Sequence, residues 1–308
     1  MSDYKGAMRL LLSGASGLLG NAVIQRLSRT SDIELTVVRS SRAECVLPLG
    51  SSEIFIDDVS KTCGLERELS SRPPTHILHL AALSSPTECE NDPPRAHLAN
   101  VGFTRMLGDL ARCFQSHMVT ASTDLVFDGG RAPEGGFDEY ALPCPVSVYA
   151  RTKRQAERVL LENTIGAVVR LSLLYGHTLS ASKGVLGWIE ESLRDRRELV
   201  LFKDEFRTPM HLDDAARALI STCERKLSGV WHCGGPERLS RVEFGRLIAQ
   251  IGGFSADTIR EGSRREITAA PLRPKDVSLN STRLFSVLGF TPRTVRQALE
   301  SEYMTSRS

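Results

Sequence analysis

The sequence predicts an α/β fold: a doubly wound parallel sheet with a smaller, interleaved C-terminal domain. Three observations carry that expectation. The first half of the chain alternates short apolar runs with longer amphipathic segments, the rhythm of βαβ units. The apolar runs are continuous rather than alternating, as strands covered on both faces require. A glycine-rich string, Ser13-Gly14-Ala15-Ser16-Gly17-Leu18-Leu19-Gly20, falls between the first apolar run and the first amphipathic segment, where a phosphate-binding turn belongs.

Taken in order, the expected strands are the apolar runs at 9–13, 35–38, 54–56, 76–80, 118–121 and 167–171. The amphipathic stretches at 18–28, 64–69, 94–114 and 148–163 are expected to be the helices between them. Right-handed crossovers then wind the sheet on both faces. Beyond 171 the rhythm loosens into a helix at 183–194, a segment at 199–202, a helix at 213–224 and a strand at 229–233. A helix at 240–251, a basic polar stretch at 260–265 and a terminal helix at 294–300 complete the chain. The expected division is 1–171 with 210–235 for the sheet domain, and 172–209 with 236–308 for a substrate-binding cap.

Composition narrows the partners. The 308 residues are 41% hydrophobic and 25% charged, which fits a globular chain with a sizeable core. With 39 Lys and Arg against 37 Asp and Glu, the net charge of +2 lacks the excess of a nucleic-acid or membrane-surface binder, so a small molecule is the expected partner. Apolar stretches such as 77–83 and 167–175 fall short of the about 20 residues needed to cross a bilayer. The N-terminal segment shows no cleavage-site pattern, and the seven cysteines (45, 63, 89, 113, 144, 223 and 233) form no CxxC pair. A cytoplasmic protein with reduced thiols is expected, and no metal site is read from Asp57, Asp58, Asp128 or Asp138.

The glycine string allows a tight turn and close approach to a pyrophosphate, with Gly14, Ser16, Gly17, Leu18, Leu19 and Gly20 as candidate cofactor contacts. In the NAD version of such a site an acidic residue follows the second strand. Here that place reads Val37-Val38-Arg39-Ser40-Ser41-Arg42. Arg39, Ser40 and Arg42 suit a 2′-phosphate, so NADPH is expected over NADH. Further along, Tyr149 and Lys153 stand four residues apart at the start of an expected helix, on one face. A nearby ammonium favours the phenolate, and such a pair can move a proton at a carbonyl or alcohol oxygen. At the end of the fifth strand, Ser122-Thr123-Asp124 places hydroxyls where ligands bind in an open parallel sheet.

These residues, with His79-Leu80-Ala81-Ala82, Asn100-Val101, the STD-x-VFDG string at 122–129, RTPMHLDD at 207–214 and the tail LRPKDVSLN at 272–280, resemble the extended short-chain dehydrogenase/reductases. The resemblance covers almost the whole chain and is to the dTDP-4-dehydrorhamnose reductase branch. It implies a Rossmann domain binding NADP, with Tyr149 as general acid, Lys153 on the nicotinamide ribose and Thr123 on the substrate oxygen; Ser122 is a lesser contributor. It also implies Asp58 and Val59 beside the adenine, Ala81 and Ala82 beside ribose and phosphates, and Asn100 near a helix kink by the site. Ser84, Asp124, Arg207 and Arg273 are the expected substrate contacts, the two arginines being suited to phosphates or else to structural salt bridges. His211 is expected to order a strand-to-helix turn with Asp213 or Asp214 capping the helix.

Where the rhamnose-pathway reductases carry a Trp-containing string, this chain reads Leu171-Ser172-Leu173-Leu174-Tyr175-Gly176. The segment 81–93 is closer to the β regulatory subunit of methionine adenosyltransferase, and Ala150 replaces the glycine that usually follows the tyrosine. Three functions therefore stand: an NADPH-dependent reductase of a nucleotide-linked 4-keto-6-deoxy sugar or related ketone, a sugar-nucleotide epimerase or dehydratase, and an NADP-binding regulatory subunit. Relatives of this kind often pair through helices, so a homodimer is an expectation of the resemblance.

Overall fold

The computed structural model describes residues 8–29, 33–39, 46–56, 62–179, 184–266 and 272–305. Strand β1 (Met8–Ser13) leads through a tight turn into α1 (Leu18–Leu27), and β2 (Ile33–Arg39) and β3 (Ser52–Phe55) follow on one side of it. After α2 (Thr62–Leu69), β4 (His76–His79) enters on the other side of β1. Two short helices, α3 (Pro86–Asn91) and α4 (Pro93–His97), run through a π-helical turn (Leu98–Gly102) into α5 (Phe103–Cys113). Then come β5 (His117–Thr123), α6 (Val148–Asn163) and β6 (Gly166–Leu171).

The helix expected over 94–114 runs from Pro93 to Cys113 with a π-helical turn inside it, and the separate short helix α3, which the sequence pattern did not suggest, precedes it. Pro86 and Pro93 each open a new helix, with Ser85 and Asp92 as caps accepting the amide hydrogens of Glu88 and Arg95 at 3.2 and 3.0 Å.

Beyond β6, the chain forms β7 (Leu174–Tyr175), α7 (Gly184–Arg194), β8 (Leu199–Phe202), β9 (Phe206–Arg207) and β10 (Met210–His211). It returns to the sheet through α8 (Leu212–Glu224) and β11 (Gly229–Cys233), and leaves again for β12 (Leu239–Ser240), α9 (Arg241–Gly252) and β13 (Ile259–Gly262). Helices α10 (Thr282–Leu288) and α11 (Val295–Thr305) end it.

The central sheet has seven parallel strands in the order β11-β6-β5-β4-β1-β2-β3. Its middle strands β4, β5 and β6 are buried at every residue. Helices α1 and α8 cover one face through Leu19, Val23, Ala215 and Leu219; α2, α5 and α6 cover the other through Leu65, Met106, Leu107 and Leu160. A second core, around Ile189, Leu193, Phe244, Ile248 and Leu299, joins α7, α9 and α11 over the parallel pair β8 and β13.

Besides α3 and the two-residue strands β7, β9, β10 and β12, the sequence pattern missed β13 and α10. Strand β13 lies in the stretch expected to be a basic polar connection, because Arg260 and Glu261 face solvent and only main-chain pairing with β8 marks it as a strand. Helix α10, inside the span assigned to the cap, instead packs Leu284 and Leu288 into the sheet core against α8 and β11.

The terminal helix is anchored by charge. Glu302 Oε1 lies 2.7 Å from His211 Nε2 and Oε2 lies 2.9 Å from His177 Nδ1, while His177 Nε2 reaches Glu190 at 2.8 Å. Hydrogen bonds to Glu190 and Glu302 push the His177 pKa up to about 10. Burial opposes ionisation of Glu302, yet hydrogen bonds with His177 and His211 outweigh it and hold that carboxyl well below the usual range. The depressed Glu302 stabilises the fold above its unfolded pKa of about 4.3, and that contribution is lost as pH falls. The raised His177 stabilises fully below about 6.5, and its contribution is lost as pH rises towards 10. Glu302→Gln should therefore cost about 2 kcal/mol between roughly pH 4.5 and 6.5, and less on either side, in chemical denaturation compared with the wild type.

Candidate active site

Strands β1 and β4 lie side by side, and the chain leaves their carboxyl ends towards opposite faces of the sheet, so a crevice opens between them. Gly14 forms its floor with φ +82°; a Cβ there would stand 2.5 Å from the Ala81 nitrogen and 2.7 Å from the Leu80 carbonyl carbon. Gly20, on the first turn of α1, packs against the Gly14 carbonyl so closely that a Cβ would overlap its oxygen. Gly17 donates its amide hydrogen to Gly14 O at 3.2 Å and sits at the N-cap of α1 without a capping side chain. No acidic residue stands in that first turn, which leaves the positive end of the helix facing the crevice.

The crevice widens into a cavity of about 760 Å³. Its walls bring together most of the residues expected at the site: 14–20, Arg39, Ala81, Ala82, Ser84, Thr123, Tyr149 and Lys153. Below it, buried His79 ties three elements by contacts to Ser13 Oγ at 2.7 Å and Thr104 Oγ1 at 3.1 Å. Burial and then the Lys153 charge push its pKa down to about 3, so the imidazole is neutral.

The start of α6 is set by Ser147, whose Oγ accepts from Ala150 N at 3.2 Å, and by Glu90, whose Oε1 accepts from Val148 N at 2.7 Å. This places Tyr149 in the first turn and Lys153 one turn further along. Ala150, at the position where relatives often have glycine, is fully buried within the helix. Burial, with the Asp124 charge behind it, drives the Tyr149 phenol above its ordinary range, and a hydrogen bond with Thr123 opposes that shift only in part. The sequence expectation was the reverse, a phenol lowered by Lys153. Burial and the Asp124 charge set the direction at Tyr149, and burial pushes Lys153 itself down to about 8, with the Glu157 charge opposing. Tyr149 consequently carries its proton at neutral pH.

Four expected contacts are placed elsewhere. Asn100, in the π-helical turn, spends its amide on the backbone of Leu83 at 2.8 and 3.2 Å and on Thr152 Oγ1 at 2.9 Å, so it braces the 81–85 loop against α6 rather than lining the cavity. Asp124 is buried and accepts from Thr123 Oγ1 at 3.2 Å and Ser172 Oγ at 3.0 Å. Arg207 is buried beside Asp124 (3.7 Å) and Glu205 (3.3 Å) and donates to the Phe206 carbonyl, which is the structural pairing rather than a cavity contact. Arg273 is half exposed near Glu205 at 3.6 Å, outside the cavity wall. Ser40, Arg42, Asp58 and Val59 lie outside the described residues. His211 caps α8 itself, accepting from Asp213 N at 3.2 Å, whereas Asp213 and Asp214 pair with Arg26 and Arg293.

Sequence reasoning missed Arg95, which lines the cavity from α4 and makes no side-chain hydrogen bond or ion pair with the described residues. It also missed Glu157 and Arg170, a fully buried pair beneath the site. A glutamate eight residues after the tyrosine, on the same helix face, was the available signal for Glu157.

The family model for the RmlD substrate binding domain matches residues 8–307. The chain belongs to this family. Methionine adenosyltransferase 2 subunit beta of Xenopus laevis is 28% identical over 298 residues, covering 93% of this chain and 84% of that protein. A probable low-salt glycan biosynthesis reductase of Haloferax volcanii is 25% identical over 298 residues, covering 95% and 96%. Among solved structures, the dTDP-4-dehydrorhamnose reductase of Bacillus anthracis in complex with NADP superposes with a TM-score of 0.80 at 21% identity, over 97% of this chain and 99% of that one. That likeness shows the RmlD-type fold.

Within this RmlD-family fold the approach of Gly20 to Gly14 leaves no room for a methyl group. Gly20→Ala should destabilise the protein by about 1–3 kcal/mol in urea denaturation, by overpacking. Gly64→Ala on α2, where a Cβ meets nothing within 4 Å, serves as the control and should stabilise slightly through helix propensity.

Proposed function

We propose that this RmlD-family chain is a nicotinamide-dependent reductase of a nucleotide-linked 4-keto-6-deoxy sugar or a related ketone, with NADPH preferred to NADH. The observation that carries the proposal is the convergence of Thr123, Tyr149 and Lys153 on the same cavity wall as the 14–20 loop. The loop fits a dinucleotide: Gly14 packs on the backbone of Leu80 and Ala81 and Gly20 on Gly14, which holds the turn and the uncapped α1 terminus at the cavity, where a pyrophosphate would sit. A bound nicotinamide supplies the hydride for the keto carbon.

The chain's residues then have defined tasks. Tyr149 holds a proton at neutral pH, held there by burial, and delivers it to the oxygen that becomes an alcohol. Thr123 orients that oxygen. Lys153 places a positive charge in the low-dielectric wall and eases proton loss from the phenol as the reaction proceeds. Ala81 and Ala82 give a small-residue wall for ribose and phosphates. Arg39, with Ser40 and Arg42, accounts for the NADPH preference, and its guanidinium already reaches Glu53 Oε1 at 2.6 Å, which fixes it at the end of β2. Ser84 and Arg95 serve the substrate on the α4 side.

A second reading, an NADP-binding regulatory subunit, is favoured by the 28% identity to methionine adenosyltransferase 2 subunit beta. Purified protein with NADPH and a panel of nucleotide-linked 4-keto-6-deoxy sugars separates the two: turnover supports the reductase, and NADPH binding without turnover supports the subunit.

Tyr149→Phe should lower kcat by about 100-fold or more and weaken NADPH binding far less, Tyr149 being expected to touch the cofactor as well as to donate the proton. A fall of less than about threefold, equivalent to about 0.65 kcal/mol, would remove Tyr149 as the proton donor. Arg39→Ala should reduce the ratio of NADPH to NADH affinity by about tenfold, measured by fluorescence titration.

A further inference from the structure

Glu157 stands on α6 one turn beyond Lys153 and two beyond Tyr149, with no exposed surface. Its carboxylate accepts four hydrogen bonds: Oε1 from Ser122 Oγ at 2.6 Å and Arg170 Nε at 2.9 Å, Oε2 from Arg170 Nη2 and Arg154 Nη1, both at 2.9 Å. Arg170 is equally enclosed, and its Nη1 lies 3.3 Å from His232 Nε2. Burial, and then the Arg170 charge, push the His232 pKa down to about 4. The imidazole is therefore neutral: Nδ1 donates to the Phe137 carbonyl at 2.9 Å and Nε2 is the acceptor facing Arg170.

Such a pair is costly to bury, and apolar residues of similar volume would serve stability as well or better. The pair ties α6 to β6, whose pairing with β5 is already a six-residue ladder. What the pair does control is the corner above it. Ser122 directly precedes Thr123 and lines the cavity, but its hydroxyl proton is committed to Glu157. Only lone pairs remain on Ser122, so it can accept a hydrogen bond there and cannot donate one to a ketone oxygen. Lys153 is buried one turn away, in a place where burial alone favours the neutral amine.

We propose that Glu157 is a positioning residue for the catalytic corner, fixing Ser122 as a hydrogen-bond acceptor towards the cavity and keeping the buried Lys153 side chain an ammonium. This rests on the site reading given under the proposed function. The charged and titratable groups around the corner come from every packed element. Tyr149 and Arg154 are on α6 itself, Cys89 and Glu90 on α3, neutral His79 on β4, Asp124 after β5 and Arg170 on β6. Among these, Glu157 is the carboxylate that acts on Lys153. Replacing it by an amide removes that anion from Lys153.

The test follows the ammonium directly. The chain has seven lysines, so NMR of lysine labelled with 13C at Cε resolves Lys153, assigned by comparison with Lys153→Arg. The expected result is that Glu157→Gln lowers the Lys153 titration midpoint by about one pH unit, a tenfold change in proton affinity. Ser122→Ala should leave the midpoint within about 0.3 unit, because it removes the hydroxyl and keeps the carboxylate. Should Glu157→Gln fail to fold with Arg170 unpaired, the double variant Glu157→Gln/Arg170→Met removes both charges and should lower the midpoint by about half a unit. A midpoint unchanged within about 0.2 unit in the folded variant overturns the proposal. In turnover assays the alkaline limb of the NADPH oxidation profile should move with the Lys153 midpoint in Glu157→Gln and stay in place in Ser122→Ala. The titration needs no substrate, so a shifted Lys153 with no turnover in the wild type would reject the reductase reading and leave Glu157 its role.

Discussion

The contact on which the rest of the site depends is the approach of Gly14 to the backbone that follows β4. The turn after β1 has a positive φ and rests on the Ala81 amide at a distance that admits no side chain. From that contact α1 departs on one face of the sheet, while the loop that reaches α3 and α4 departs on the other. The crevice between them is therefore a consequence of packing, and it has the helix terminus on one wall and small residues on the other. Gly20 repeats the constraint one turn along, so the loop is clamped from two sides beside the cavity.

Charge is distributed around this crevice in a consistent way. The cavity wall carries Arg39, Lys153 and Arg95, and no carboxylate among the described residues. Carboxylates are close behind the wall, and three of them are matched to arginine: Glu157 to Arg170 and Arg154, Asp124 to Arg207, and Glu205 to Arg207, Arg241 and Arg273, while Glu53 pairs with Arg39 of the wall itself. A space with cationic walls and screened anions behind them attracts a polyanionic ligand. The last of these clusters has three guanidiniums at 3.3 to 3.8 Å from one carboxylate, and Glu205 Oε2 has no hydrogen-bond partner. Arg207 and Arg241 are held inside, and Arg273 is the arm that reaches solvent.

Much of this was legible in the sequence because it follows from local rules. The parallel strands read as continuous apolar runs, α6 spans the expected 148–163, and the glycine string lies at the turn it suggested. Legibility failed where a residue's role is set by a distant partner. Asn100 and Asp124 sit in motifs that point to the site, yet their polar atoms are claimed by Leu83 and Thr152 in one case and Ser172 and Thr123 in the other. Arg95 gave no signal because it belongs to no motif and reaches the wall only through the packing of α4 beside the cavity. Strand β13 was hidden by its solvent-facing Arg260 and Glu261, and α10 by its shortness. The Tyr149 pKa was misjudged in sign because spacing reveals a neighbouring lysine but not the burial of both groups.

The buried polar corner also bears on what kind of molecule this is. Holding a dinucleotide asks for a glycine loop, a helix terminus and small residues beside them, and none of these needs ionised groups beneath the sheet's carboxyl edge. This chain nevertheless encloses Lys153, Glu157 and Arg170 together with Tyr149 and Thr123. Enclosing ionised groups carries a desolvation penalty of several kcal/mol per ion, returned only by close pairing, and apolar side chains would avoid it. A proton-transfer site needs what that arrangement supplies: a phenol kept protonated, an ammonium beside it, and hydroxyls whose donor and acceptor directions are fixed. The proposed reductase rests on the balance of those two requirements.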